Sequence, residues 1–283
     1  PLMSLLQVVA GKSRAGAHLP EILPSLTRAT IQPRQGQLHM VMALPGNGKT
    51  LFALWYAIQC GLPTLYFSFD SDEGTISNRA AAILMDKTTD EVEAMRDSPA
   101  VVEIEDSLSI LQERVRFDFT GSPSMDDVYD ETEAWVELFG DTPQLIIVDN
   151  LLNLRGGSDA EFTAMRDSMS GLQGLARDTG AAVMVLHHVN SSLLNSSSPL
   201  TRIYHDKPAQ FGALMGQVGQ LPEAIYSIAR VGNQMKVAAV KNRDGIADPS
   251  AQSYITVACD ASRMSLYDTA RDMDLVRTKR EWM

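Results

Sequence analysis

Ala43-Leu44-Pro45-Gly46-Asn47-Gly48-Lys49-Thr50 is the stretch on which the reading of this chain turns. It fits the phosphate-loop pattern, with alanine standing where the first glycine is usual. Residues 37–42 precede it and read as a strand; residues 50–60 follow as a helix stopped by Gly61 and Pro63. A strand feeding a helix through such a loop leaves backbone N–H groups free at the helix N-terminus, a nest for phosphate oxygens. There Lys49 is expected to neutralise the β- and γ-phosphates of a nucleotide, and Thr50 to coordinate Mg²⁺. The expected nucleotide-binding set is Ala43, Pro45, Gly46, Asn47, Gly48, Lys49 and Thr50. The competing reading is an ordinary glycine-rich turn.

Outward from the loop, strand and helix patterns alternate. Residues 64–70 read as a strand and 75–85 as a helix; the segment after them holds another helical stretch, a short strand at 115–119 and a helix at 125–139. Residues 144–149 are a continuous apolar run ending in an acid, as in a buried parallel strand. Phe162, Met165, Met169, Leu172 and Ala176 mark a helix stripe ended by Gly180, and 181–187 is the next buried strand. The pattern predicts an α/β fold, a mostly parallel sheet flanked by helices. In the last third, 224–229 and 234–240 are strand-like around the hairpin signal Gly232-Asn233, with another strand at 254–259, so an antiparallel C-terminal extension is expected. Residues 190–210 lack periodicity and read as a mobile loop. Leu2, Leu5, Leu6 and Val9 mark a narrow apolar stripe of a short helix expected to pack on its own domain or to dock on a second copy, with a cleavable transit peptide as the third reading.

The chain has 283 residues, 45% hydrophobic and 21% charged, which suffices to bury a core and excludes a disordered polypeptide. No apolar run approaches the roughly 18 residues needed to cross a bilayer, and a cytosolic protein is expected. Cys60 and Cys259 are too few for a disulfide framework and lack metal-type spacing, so both are expected to be buried apolar residues. The net charge of −11 argues against a nucleic-acid partner only until it is located: residues 86–141 hold 17 acids and 4 bases, leaving 18 acids and 20 bases elsewhere. An acidic face coexists with a neutral-to-basic body.

Further chemistry-bearing residues sit at strand ends. Leu145-Ile146-Ile147-Val148-Asp149 puts a carboxylate where it can hold the water shell of the same Mg²⁺. Asp70 ends the strand after the loop and is the favoured group to orient an attacking water, with Asp72 and Glu73 as competitors that could merely cap the next helix. His187 and His188 close another strand at the same edge; being adjacent they point to opposite faces, so only one can sense a γ-phosphate.

Pro45-Gly46-Asn47-Gly48-Lys49-Thr50, Phe67-Ser68-Phe69-Asp70, the 145–149 run, Leu186-His187-His188-Val189 and Lys241-Asn242-Arg243-Asp244-Gly245 occur in this order. Together they resemble the ATPase domain of the DnaB-like replicative helicases within the RecA superfamily. The resemblance implies a RecA-like ATPase domain at 31–262, a helix and linker at 1–30 that could dock on another subunit, and a charged tail at 263–283. It implies ATP and Mg²⁺ as cofactors, Thr50 and Asp149 at the metal, and Lys49, Asp70, Asp149 and His188 as catalytic residues. Arg243, assisted by Lys241, would reach into the nucleotide of the next subunit of a ring-shaped homo-oligomer, a hexamer. Single-stranded or forked DNA would lie in the channel against Arg155, Gly156, Gly157, Arg202 and Lys207. The family usually has Glu where this chain has Asp70, and commonly Gln where it has His188. Only about 30 residues precede the core, too few for a primase-binding domain, so a phage-type or accessory motor is implied. The rivals are a metal-dependent nuclease built on Asp70, Asp72, Glu73, Asp149 and His188, and an ATP-switched recombinase or helicase loader.

Overall fold

The computed structural model describes residues 16–155, 161–190 and 206–274. Within them nine strands form one sheet: β1 Leu38–Ala43, β2 Thr64–Ser68, β3 Val115–Asp118, β4 Leu145–Asp149, β5 Ala182–His188, β6 Ala224–Val231, β7 Gln234–Asn242, β8 Ile255–Asp260 and β9 Ser265–Tyr267. The order is β3-β2-β4-β5-β1-β6-β7-β8-β9. β3 through β6 in that order run parallel, and β7, β8 and β9 continue antiparallel. The fold is thus the mostly parallel α/β sheet with an antiparallel C-terminal extension that the periodicity predicts.

β1, β2 and β4 are buried along their whole length because helices cover both faces, and β5 is buried up to His188. Alternate residues serve opposite cores. Val41, Tyr66, Ile147 and Leu186 pack on the side of α2 (Lys49–Gln59) and α3 (Glu73–Met85). Met40, Phe67, Val148 and Val185 pack on the side of α6 (Met125–Phe139) and α7 (Glu161–Thr179). The single helical stretch expected in the acidic segment is two helices, α4 (Thr89–Arg96) and α5 (Val101–Ser109). Both α4 and α6 begin with a capping box, Thr88 with Glu91 and Ser124 with Asp127, so part of the acidic charge sits where helix N-termini favour it. Cys60 and Cys259 are both buried and free. Among the described residues no helix is long and apolar enough to cross a membrane.

Two expected boundaries move. Residues 16–30 are not a detachable linker: Leu19, Leu23 and Leu26 are buried in the main core, and α1 (Pro24–Arg28) lies over Phe52, Tyr56 and Tyr226. Their apolar spacing is spent on the domain itself. Nor does the sheet stop at 262, because Leu266 is buried and β9 pairs with β8. The stripe Leu2, Leu5, Leu6 and Val9 and most of the 190–210 loop lie outside the described residues. Because Leu26 is 4% exposed, Leu26→Ala is expected to lower the unfolding free energy by about 2–4 kcal/mol in denaturant titration. A loss below about 0.5 kcal/mol, the size of a surface change, would mean that 16–30 is a separable arm.

Candidate nucleotide site

β1 ends at Ala43 with its side chain fully buried, and the chain turns through Gly46 (φ +77°) and Gly48 (φ +85°) before α2 begins at Lys49. Both glycines occupy the left-handed region that a side chain disfavours. Gly48 is the N-cap of α2 and uses no side chain, which leaves the helix N-terminus open toward the loop. Pro45, Gly46, Gly48, Lys49 and Thr50 line a cavity of about 380 Å³ together with Asp70, Asp149 and His188. These residues come from β1, α2 and the carboxyl ends of β2, β4 and β5, one crevice in a parallel sheet. Asn47 is buried, its N–H bonded to Leu44 O at 3.2 Å, so it shapes the loop from behind.

Lys49 is 7% exposed. Burial pulls its ammonium down to about 8, and the carboxylates of Asp149 and Asp70 oppose that pull. Its Nζ lies 3.4 Å from Ala43 O and 3.3 Å from His188 Nδ1. His188 is held down to about 4, first by burial and then by Lys49, so its neutral ring accepts from the lysine. Asp149 is 2% exposed, and burial raises its carboxyl against hydrogen bonds from Thr50 and from Tyr66 Oη at 3.1 Å. Thr50 and Asp149, the expected metal pair, are therefore in contact.

Of the competitors for Asp70, Asp72 caps α3 by accepting from Thr75 N and Thr75 Oγ1, each at 2.8 Å. Glu73 is the first residue of that helix and lines an apolar groove beside α5. Among the described residues no group of three or more His, Cys, Asp or Glu is placed to hold a metal ion. The five-residue nuclease cluster is thereby corrected: capping holds Asp72 and the start of α3 holds Glu73 away from Asp149. Tyr66, Arg79 and Arg230 are site residues that sequence reasoning missed. Tyr66 reaches Asp149 from β2, Arg79 lines the cavity from α3, and Arg230 Nη2 stands 3.5 Å from Gly46 O at the end of β6. The only sequence signal for Tyr66 was its alternation with Ser68 in a buried strand.

Lys241 and Arg243 are elsewhere. β7 runs antiparallel to β6, so its end lies at the amino edge of the sheet, with Asn242 opposite Ala224 and Ala224 opposite His39. Lys241 Nζ donates to Gly219 O at 2.8 Å and Gln220 O at 2.7 Å; Arg243 donates to Gln220 O at 3.1 Å and pairs with Glu223 at 2.7 Å. They share a face, as alternation predicts. The following turn is clamped: Thr30, itself at φ +59°, accepts Asn242 Nδ2 on its carbonyl at 2.9 Å and Ile246 N on Oγ1 at 3.2 Å. A Cβ at Gly245 would overlap Thr30 Oγ1 and lie 2.7 Å from Asn242 Nδ2. Arg155 is exposed, its N–H bonded to Pro123 O at 2.8 Å, and Lys207 is half-buried. Gly156, Gly157 and Arg202 lie outside the described residues.

Because the turn is packed so closely, Gly245→Ala should cost about 1–3 kcal/mol of stability in denaturant melts; a cost near zero would mean that the turn can leave Thr30. His39 and His187 are likewise buried and held to about 4 against an ordinary 6.5. The unfolded chain binds their protons first, so stability is full above pH 6.5 and is lost as pH falls toward 4. Each of these two rings should remove roughly 2 kcal/mol at pH 5 relative to pH 7, and His39→Gln should give a shallower dependence of the denaturation midpoint on pH.

An AAA domain model matches residues 31–192. The chain is 34% identical over 269 residues to the Gene 65 protein of Mycobacterium phage L5, covering 91% of this chain and 95% of that protein. With the Gene 65 protein of Mycobacterium phage D29 the identity is 33% over 241 residues, covering 81% and 98%. Among solved structures, one described as an ATPase domain superposes with a TM-score of 0.77 at 15% identity, over 93% of this chain and 95% of that one. A DnaB-like replicative helicase, solved in a study of its interactions with primase, superposes with a TM-score of 0.75 at 15% identity, over 93% of this chain and 64% of that one.

Proposed function

The chain belongs to the AAA domain family and has the fold of a DnaB-type helicase ATPase domain, and on that basis we propose that it is an ATP-driven motor that moves on single-stranded DNA as a ring of identical subunits. One observation carries the reading: the phosphate loop and the pair Lys241/Arg243 occupy opposite edges of one sheet. A guanidinium at the amino edge cannot meet the phosphates held at the carboxyl edge of the same chain. Ring assembly brings the two edges together across a subunit boundary, and hydrolysis then depends on assembly.

The cavity suits a nucleotide. Its volume lies in the usual range for small-molecule sites, the open N-terminus of α2 and the left-handed glycines present N–H groups to phosphate, and Lys49 brings a buried positive charge. Thr50 and Asp149 would hold Mg²⁺, which when bound neutralises phosphate charge. Asp70, free of the capping that occupies Asp72, would orient the attacking water. His188 would replace its bond to Lys49 with one to the γ-phosphate. Arg243 of the neighbouring subunit would stabilise charge on the transferring phosphoryl group, with Lys241 beside it. Arg155, Arg202 and Lys207 would meet DNA phosphates in the channel, making binding salt-sensitive. Residues 1–15 remain a proposed arm between subunits, and the workplace is the cytoplasm of a phage host.

ATP hydrolysis should rise when single-stranded oligonucleotide is added, and Arg243→Ala should reduce it by about 10³-fold or more while ATP still binds. A rate indifferent to DNA contradicts the motor; filaments in place of closed rings in electron micrographs would favour a recombinase or loader. Forked DNA incubated with Mg²⁺ or Mn²⁺ and no ATP should remain uncut.

A further inference from the structure

β5 ends in two side chains that face opposite ways. His188 meets Lys49 in the nucleotide cavity, whereas His187, fully buried on the other face, lies 3.0 Å through Nε2 from Met215 O. A carbonyl only accepts, so Nε2 carries the proton. Met215 opens the 3-10 turn Met215–Gln220. The far end of that turn presents the carbonyls of Gly219 and Gln220, which are the acceptors of Lys241 and Arg243. One short piece of chain therefore has the histidine on its first carbonyl and both basic side chains on its last two.

This piece is enclosed. Val218 is buried, and a Cβ on Gly219 would stand 2.8 Å from the Phe211 ring and 2.9 Å from Leu214. Gln173 from α7 donates to Leu221 O at 3.0 Å just beyond the turn. Close-packed segments shift as bodies between discrete arrangements and do not flex continuously. His187 and His188 share a peptide unit, so a change in what His188 binds is felt on the opposite face of the same strand.

We propose that His187 is a positioning residue that links the nucleotide state sensed beside Lys49 in one subunit to the placement of Lys241 and Arg243 toward the next subunit's nucleotide, through the turn Met215–Gln220. This inference rests on the composite-site reading above. The paired histidines then divide the work, one reading the chain's own nucleotide and the other transmitting the reading to the groups delivered to a neighbour.

The test uses the full chain with ATP, a non-hydrolysable ATP analogue and single-stranded oligonucleotide. His187→Leu should keep ATP affinity within about twofold and lose about tenfold in DNA-stimulated kcat with KM unchanged. His187→Gln, whose amide can donate to the same carbonyl, should recover to within about threefold of the parent. Amide hydrogen exchange at 215–221 should change on binding the analogue in the parent and not in His187→Leu. Should His187→Leu fail to fold, His187→Asn, polar but too short to reach Met215 O, takes its place with the same expected result. Full activity of His187→Leu, equal failure of the Leu and Gln variants, or exchange at 215–221 that ignores nucleotide in the parent would each overturn the inference. Arg243→Ala measured alongside separates the two readings. If it is inactive while His187→Leu is fully active, only the link fails; if it hydrolyses ATP like the parent, the composite site fails and takes the link with it.

Discussion

A lysine ammonium almost withdrawn from water is the interaction around which this structure is arranged. Burial works against the charge on Lys49, the carboxylates of Asp149 and Asp70 support it, and the neutral ring of His188 accepts a hydrogen bond from it. Those partners sit at the ends of three different strands, β4, β2 and β5, which are neighbours on one side of β1. Displacing any of those strand ends would leave a buried charge without compensation, which is costly. The same enclosure that lowers the pKa of Lys49 also strengthens its hold on any anion that enters.

The second constraint is separation. Because β6 is parallel to β1 and β7 reverses direction, the hairpin at Gly232-Asn233 carries the chain from the carboxyl edge back to the amino edge. Lys241 and Arg243 are delivered there and pinned to backbone carbonyls, while Thr30 holds the turn behind them. Residues 16–30 thus serve the structure at two places, filling the main core with Leu19, Leu23 and Leu26 and bracing the Asn242–Ile246 turn. A region that reads as linker is part of the frame that aims the basic pair.

The acidic segment forms α4, α5, α6 and the edge strand β3, and its first residue, Asp86, pairs with Arg263 between β8 and β9. Its carboxylates include the caps of α4 and α6, where they meet helix N-termini rather than a ligand. Arg155, one of the proposed DNA contacts, stands beside this segment, its N–H bonded to Pro123 O and its guanidinium near Asp127.

The fold class, most of the strands and the loop at Ala43–Thr50 are legible in the amino acids alone, because hydrophobic period and the glycine pattern are local properties that survive any packing. So are the opposite facing of His187 and His188 and the shared face of Lys241 and Arg243, since alternation is built into a strand. Folding in three dimensions was needed to bring Tyr66, Arg79 and Arg230 into the site, to spend Asp72 as a cap, and to join residues 16–30 and 265–267 to the domain. Each of these depends on which strands become neighbours, and neighbours such as β1 and β5, some 140 residues apart in the chain, are chosen by the whole core at once. The same is true of Gly245, whose lack of a side chain has a reason only when Thr30, from the far end of the chain, is folded against it.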